Sequence, residues 1–138
     1  VGGERGREAY RAVMRPFVAG WLEDELSRRM YDTSIRVIGD QRKQAEPGLD
    51  ATYAFFLGEA YRRRGKPGDS ALAEALYEEA VALPEAPASA FREHGMALRA
   101  QGLRPEAAAA FSEYLTRLPD ADDAAFVRQY LAEMEATP

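Results

Sequence analysis

One stretch of this chain is written twice. Leu57-Gly58-Glu59-Ala60-Tyr61, followed by Gly65, returns as His94-Gly95-Met96-Ala97-Leu98, followed by Gly102, each matched residue 37 positions later. Ala73, Tyr77 and Ala80 return as Ala107, Phe111 and Tyr114, but 34 positions later. The shorter offset removes three residues between Gly65 and Ala73, where Lys66-Pro67-Gly68-Asp69 reads as a turn. Turns absorb insertions that packed elements do not, so the difference falls where a repeat tolerates it. Glycine inside a helix costs about 1 kcal/mol against alanine, and two of them at matched places point to close helix approach.

Apolar spacing places the remaining elements. Tyr10, Val13, Met14, Phe17, Val18, Trp21, Leu22 and Leu26 recur at three- and four-residue intervals and predict a helix over 8–30. Pro16 either kinks that helix or opens a second one at its first turn. Asp24/Arg28 and Glu25/Arg29 are acid-before-base pairs one turn apart and describe a solvated face. Asp32 or Thr33 is suited to cap a helix that turns Ile35, Val37 and Ile38 inward and ends near Pro47-Gly48. Asp50 then caps helix 51–64, the turn 65–69 leads into helix 70–83, and Pro84 and Pro87 precede helix 88–101. Pro105 suits the first turn of helix 104–117, Pro119 ends it, and Asp122 or Asp123 caps a last helix carrying Phe126, Val127, Tyr130, Leu131 and Met134. No segment alternates with period two. The expected fold class is therefore all-α.

A period near 34 residues, a small residue within a first helix, glycine at its end, then alanine and an aromatic on a second helix, together resemble the tetratricopeptide repeat (TPR). Gly58 and Gly95 stand at the family's small mid-helix position, Gly65 and Gly102 at its helix-ending position, and Ala107, Phe111 and Pro119 at its second-helix and closing positions. Tyr114 departs where a small residue is usual, His94 where leucine is, and Pro84 falls one residue early. The resemblance implies a right-handed stack of antiparallel helix pairs in one domain over 1–138. Its parts are a degenerate pair over 8–47, clear repeats over 50–84 and 88–119, and a C-terminal solvating helix over 122–135. More narrowly, Tyr53 to Gly65, Arg92-Glu93-His94-Gly95, Ala107 to Phe111, Tyr114-Leu115, Pro119 and Tyr130-Leu131 are similar to the C-terminal repeat region of bacterial envelope zinc metallopeptidases. In those proteins a separate HExxH domain carries catalysis. That likeness implies a non-catalytic, partner-positioning piece, periplasmic or membrane-peripheral; without it a cytoplasmic adaptor is the expectation.

Chemistry finds few candidates. The chain has 138 residues, no cysteine, one histidine and a net charge of −5. It is long enough to bury a core without disulfides or metals. A cysteine-based zinc site is excluded, HExxH is absent, and His94 reads as a packed structural histidine. Ser27, Ser34, Ser70, Ser89 and Ser112 lie in no nucleophile elbow, and Val1-Gly2-Gly3 lacks a phosphate-loop lysine. No catalytic residue, metal or cofactor is therefore expected. The acidic balance argues against nucleic acid, and no apolar run of 18 residues exists to cross a membrane. Val1 to Arg7 has no apolar core of a secretory leader, and Val rather than Met at the start fits an excised piece or processed product.

Binding is the better expectation, because stacked helix pairs present a surface lined by the first helix of each repeat. The family's groove positions fall on Thr52, Phe55, Glu59, Arg62 and Arg63, and on Ser89, Arg92, Met96, Arg99 and Ala100. Four are arginines, suited to a protein or peptide with acidic groups or a free C-terminus. Phe55 and Glu59 depart from the lysine and asparagine of the family's carboxylate clamp. Arg62-Arg63-Arg64 can equally complement a helix C-terminus. Trp21, with Phe17 and Leu22, is either an exposed anchor or part of the core, and the continuous stripe favours the core. A half-covered first pair would leave a free face for a second domain or a second copy, making a self-associating module the alternative function and a freestanding enzyme a more remote one.

Overall fold

The computed structural model describes residues 3–136 and is all-helical, with no strand among them. Its helices are α1 (Gly3–Ser27), α2 (Tyr31–Lys43), α3 (Asp50–Arg64), α4 (Asp69–Ala82), α5 (Ala88–Ala100), α6 (Arg104–Arg117) and α7 (Ala124–Glu135). Val1 and Gly2, part of the amino-terminal segment read above, lie outside the described residues. The chain forms two compact units, Val1–Ala86 with α1 to α4 and Pro87–Pro138 with α5 to α7.

Each unit is built on the same hairpin. Residues 65–68 fold α4 back onto α3, and 101–103 fold α6 back onto α5. The matched glycines explain how close those helices come. A Cβ at Gly58 would lie 2.9 Å from Cε1 of Tyr77, and one at Gly95 would lie 2.7 Å from Cε1 of Phe111. Each aromatic ring therefore seats where a side chain would otherwise be, and both rings are almost wholly buried. Burying a phenylalanine fully contributes about 1.5–3 kcal/mol, more than the roughly 1 kcal/mol that glycine costs its helix.

The second matched glycine of each hairpin ends the first helix. Gly65 adopts φ +68° and donates to the Tyr61 carbonyl at 3.1 Å, a single left-handed cap. Gly102 adopts φ +76°, donates to Arg99 at 3.0 Å, and is followed by Leu103 donating to Leu98 at 3.0 Å. That is the two-bond Schellman closure, with Leu98 and Leu103 flanking the turn. At the other end of α1 the left-handed position falls to Arg29, φ +59°, which has a Cβ and bears the strain glycine avoids.

In the first unit α3 is the central helix. It packs on α4, α2 and α1, and Ala51 to Phe56, Gly58, Glu59 and Ala60 are all buried. Helix α1 begins at Gly3, five residues before the expected boundary, and continues unbroken past Pro16. Two arginines fasten it to the link between α2 and α3. Arg11 donates to the Pro47 carbonyl at 2.9 Å and Arg15 to that of Gly48 at 3.3 Å, while Arg15 also pairs with Glu8 and Glu85. They line a cleft of about 230 Å³ together with Asp50 and Pro84. Helix α2 meets α4 through an Arg42–Glu79 ion pair. In the second unit Phe111, Tyr114, Val127 and Met134 form the core, with Phe91, Met96, Tyr130 and Leu131 packed against it.

The expected side-chain caps are not made. Met30, Leu49 and Asp123 occupy the N-cap positions of α2, α3 and α7, none with a capping hydrogen bond from its side chain. Asp32 and Asp50 lie within the first turn instead, where a carboxylate still complements the helix dipole.

Replacing Gly95 by alanine should lower the melting temperature, because the new methyl meets a fully buried ring; a net loss of up to about 2 kcal/mol is expected once the helix-propensity gain is subtracted from overpacking. Gly39→Ala in α2, where a Cβ meets nothing within 4 Å, should raise it. Thermal melts followed by circular dichroism give both signs.

Candidate functional site

The ten groove residues divide between the two units, and each group has its own setting. In the first unit Thr52, Phe55 and Glu59 are buried. Phe55 packs on Tyr77 of α4 with ring centroids 5.9 Å apart, and Glu59 accepts a hydrogen bond from the hydroxyl of the same Tyr77, so both are turned toward the hairpin partner rather than an open face. Arg62 and Arg63 remain at the end of α3, partly exposed.

Glu59 is the centre of a buried polar cluster that the sequence reading did not foresee. Arg62 grips it bidentately, Nε and Nη2 each at 2.9 Å, the Tyr77 hydroxyl donates to it, and Arg63 approaches at 3.4 Å. Burial alone would raise the Glu59 pKa; the Arg62 fork, the Tyr77 hydroxyl and the two positive charges outweigh it, and the pKa is lowered. The carboxylate is thus ionised and held, with no free lone-pair edge turned to a ligand. Arg63 also reaches Glu23 of α1 at 3.1 Å. In the second unit the matched positions carry Met96 and Phe111 in place of Glu59 and Tyr77. The hydroxyl and the carboxylate are replaced together, so the same hairpin is closed once by a polar pair and once by an apolar one.

Arg64 serves the turn. Its guanidinium holds Asp69 through two bonds of 2.8 Å and Asp32 through one of 2.9 Å, and Asp69 also accepts the Lys66 backbone N–H at 2.9 Å. The Arg64 bonds, helped by that N–H and opposed by burial, bring the Asp69 pKa down to about 2. The arginine run is therefore committed residue by residue to carboxylates of α1, α2, α3 and α4, in addition to lying at a helix C-terminus.

In the second unit Ser89, Arg92, Met96 and Arg99 recur at three- and four-residue spacing along one face of α5, each half-buried. Ala100 is exposed. Arg92 bonds Asp123 at 2.9 Å and Glu93 at 2.7 Å, and the Tyr114 hydroxyl donates to the same Asp123 at 2.6 Å. Asp123 is thus drawn away from capping α7. Burial raises its pKa, but the Tyr114 and Arg92 bonds prevail and lower it. This bond also accounts for Tyr114, the large residue at a position where the repeat family has a small one. Arg99 lies over the Tyr130 ring at 4.5 Å and meets Glu133 of α7 through Nη2 at 3.1 Å, while its Nε is buried with no hydrogen-bond partner among the described residues.

The two parts of the amino-terminal stripe separate. Leu22 is buried as expected, whereas Phe17 is 70% and Trp21 41% exposed. Packing claims only part of that stripe, contrary to the core reading of Trp21 and Phe17. His94 lies half-buried on α5. Among the described residues no group of three or more His, Asp or Glu side chains is placed to hold a metal ion, and no helix is long and apolar enough to cross a membrane.

No protein-family model, curated protein or solved structure matches the chain.

Acid should expose the role of the held carboxylates. The Asp69 pKa, about 2 in the fold, lies below its ordinary 3.8, so the unfolded chain takes up the proton first as pH falls. Its contribution is complete above pH 3.8 and is lost as pH drops toward about 2. Urea midpoints measured through this window should fall steeply for the native chain, and less steeply for Asp69→Asn, which is also less stable at neutral pH.

Proposed function

We propose that the chain is a non-catalytic, TPR-like scaffold that binds a protein or peptide, with the α5 face of the second unit as the contact surface. The proposal includes the family's stacking of helix pairs, with α7 as the solvating helix. The two hairpins closed by the same glycine–aromatic contact support it. The observation that carries the binding surface is Arg99.

The arginines of the α5 row differ in what a ligand would have to displace. Arg92 is tied to Asp123 and Glu93 within a partly buried cluster that also engages Tyr114. Releasing it would leave partly buried carboxylates without their counter-charge, which is costly. Arg99 holds one carboxylate, Glu133, whose side chain is half exposed. A surface pair of this kind is worth about 0–1 kcal/mol, so an incoming carboxylate exchanges with Glu133 at little cost. Tyr130 beneath the guanidinium fixes its plane, and a planar fork suits bidentate recognition of a carboxylate. Ser89 and Met96 on the same face add a hydroxyl and a deformable apolar contact. The reading as the partner-positioning part of an envelope metallopeptidase rests on the sequence resemblance alone, and the scaffold reading does not need it.

Fluorescently labelled peptides ending in acidic residues, with the C-terminus free or amidated, provide the probe. Arg99→Ala should weaken binding of the free-carboxylate peptides by roughly ten- to a hundredfold, the range expected for a charge-assisted hydrogen bond, with the melting temperature nearly unchanged. Arg92→Ala should chiefly lower that temperature. Equal anisotropy titrations for Arg99→Ala and the native chain would remove the proposed surface.

A further inference from the structure

Helix α1 has two apolar faces, and the fold uses one. Val18, Leu22 and Leu26 are buried within the first unit, whereas Tyr10 is 50%, Val13 70%, Phe17 70% and Trp21 41% exposed. At 100° per residue those four fall on one outer stripe, together with Gly6, Gly20 and Asp24. An apolar stripe of this kind is often functional when it is the largest patch on a chain. Gly6 and Gly20 sharpen the point. A Cβ at either would meet nothing within 4 Å, so no neighbour inside the chain requires glycine there, although glycine weakens a helix.

We infer that the outer face of α1 pairs with the same face of a second copy, antiparallel, about a two-fold axis near Arg15. Self-complementarity selects this occupant. With the helices antiparallel about that point, Tyr10 of one copy meets Gly20 and Trp21 of the other, and Val13 meets Phe17. Bulk is thereby set against the notch that Gly20 leaves. Gly6 and Arg7 come opposite Asp24 and Glu23, so a basic end meets an acidic end at both extremities. Arg7 and Asp24 are available for that exchange: their side chains are 70% and 67% exposed, and their own-chain partners, Glu4 at 3.8 Å and Arg28 at 3.5 Å, are surface pairs worth little. A contact in which residue i meets j and j meets i is the isologous interface of a two-fold dimer.

Size sets the strength. The exposed parts of the four side chains amount to roughly 400 Å² per copy, given the area such residues can bury. Two copies withdraw about twice that, below the roughly 1,200 Å² of standard stable interfaces and in the range of weak, transient contacts. A dimer dissociating in the micromolar range is expected. Acidic Glu23 and Asp24 at one end of the stripe disfavour an anionic lipid surface as the occupant.

Sedimentation velocity over a wide concentration range tests the inference. The native chain should shift from monomer to dimer, and Phe17→Glu should remain monomeric. Arg7→Glu and Asp24→Arg should each weaken the dimer at least tenfold, and the double variant should restore it. Both charge changes place the favourable sign at their end of the α1 dipole, so loss of the dimer cannot be ascribed to loss of the helix. Gly20→Ala should raise the melting temperature of the monomer while weakening dimerisation. A concentration-independent monomer overturns the inference, as does failure of the double variant to restore the dimer. Co-sedimentation of a monomeric native chain with phosphatidylcholine vesicles would overturn it in favour of lipid. The α5 peptide surface is read separately by the Arg99→Ala titration, so either conclusion can fail alone.

Discussion

The approach of a ring to a glycine backbone sets the geometry of both units. Tyr77 and Phe111 occupy the space where Gly58 and Gly95 have no side chain, and everything placed near those rings inherits the helix separation that results. In the first hairpin the phenol oxygen is delivered to Glu59, and Arg62 closes around both. In the second, a ring without a hydroxyl meets a position occupied by methionine rather than glutamate. A carboxylate buried beside Phe111 would have had to find another donor, and a tyrosine beside Met96 would have buried a hydroxyl there, at a cost of about 1–3 kcal/mol for an unmet group. The two repeats therefore solve one packing problem with two self-consistent pairs.

The same reasoning explains why a chain with 16 arginines does not present a basic face at the expected groove. Arginines that are adjacent in sequence are matched to carboxylates in space. Arg62 and Arg63 share Glu59, Arg64 bridges Asp32 and Asp69, and Arg92 is set between Glu93 and Asp123. Half of these pairs reach beyond their own helix, and Arg63 adds Glu23 of α1, so the arginines help fix how α1, α2, α3 and α4 meet within the first unit, and how α5 meets the start of α7 in the second. Arg99 differs because its partner is solvent-exposed and its ring contact fixes its plane without consuming its donors.

Much of this fold was legible because repetition reports on backbone geometry. Matched glycines at Gly65 and Gly102 located two helix ends to within a residue, and both prove to be left-handed caps. The indel fell in the turn now seen at 65–68. Caps were less legible, since an aspartate near a helix start has several uses: Asp123 was drawn to Tyr114 and Arg92, and Asp69 to Arg64. Nor could the repeat pattern show that Thr52, Phe55 and Glu59 are buried. Their spacing resembles an open groove, but Phe55 and Glu59 are turned to Tyr77 of α4, a choice of side that spacing alone does not report.

Helix α1 also shows why periodicity alone misassigned Trp21 and Phe17. Val18 follows Phe17 and Leu22 follows Trp21 by single residues, a rotation of 100° around the helix. Two adjacent stripes merge into one broad face when only three- and four-residue intervals are counted. The inner stripe covers α3. On the outer one a Cβ at Gly6 or Gly20 would meet nothing within 4 Å, so no packing inside the folded unit requires glycine there. Replacing either with alanine would recover about 1 kcal/mol of helix stability. That a helix forgoes this on its solvent side, while displaying tyrosine, valine, phenylalanine and tryptophan along the same line, is what the inferred pairing with a second copy accounts for.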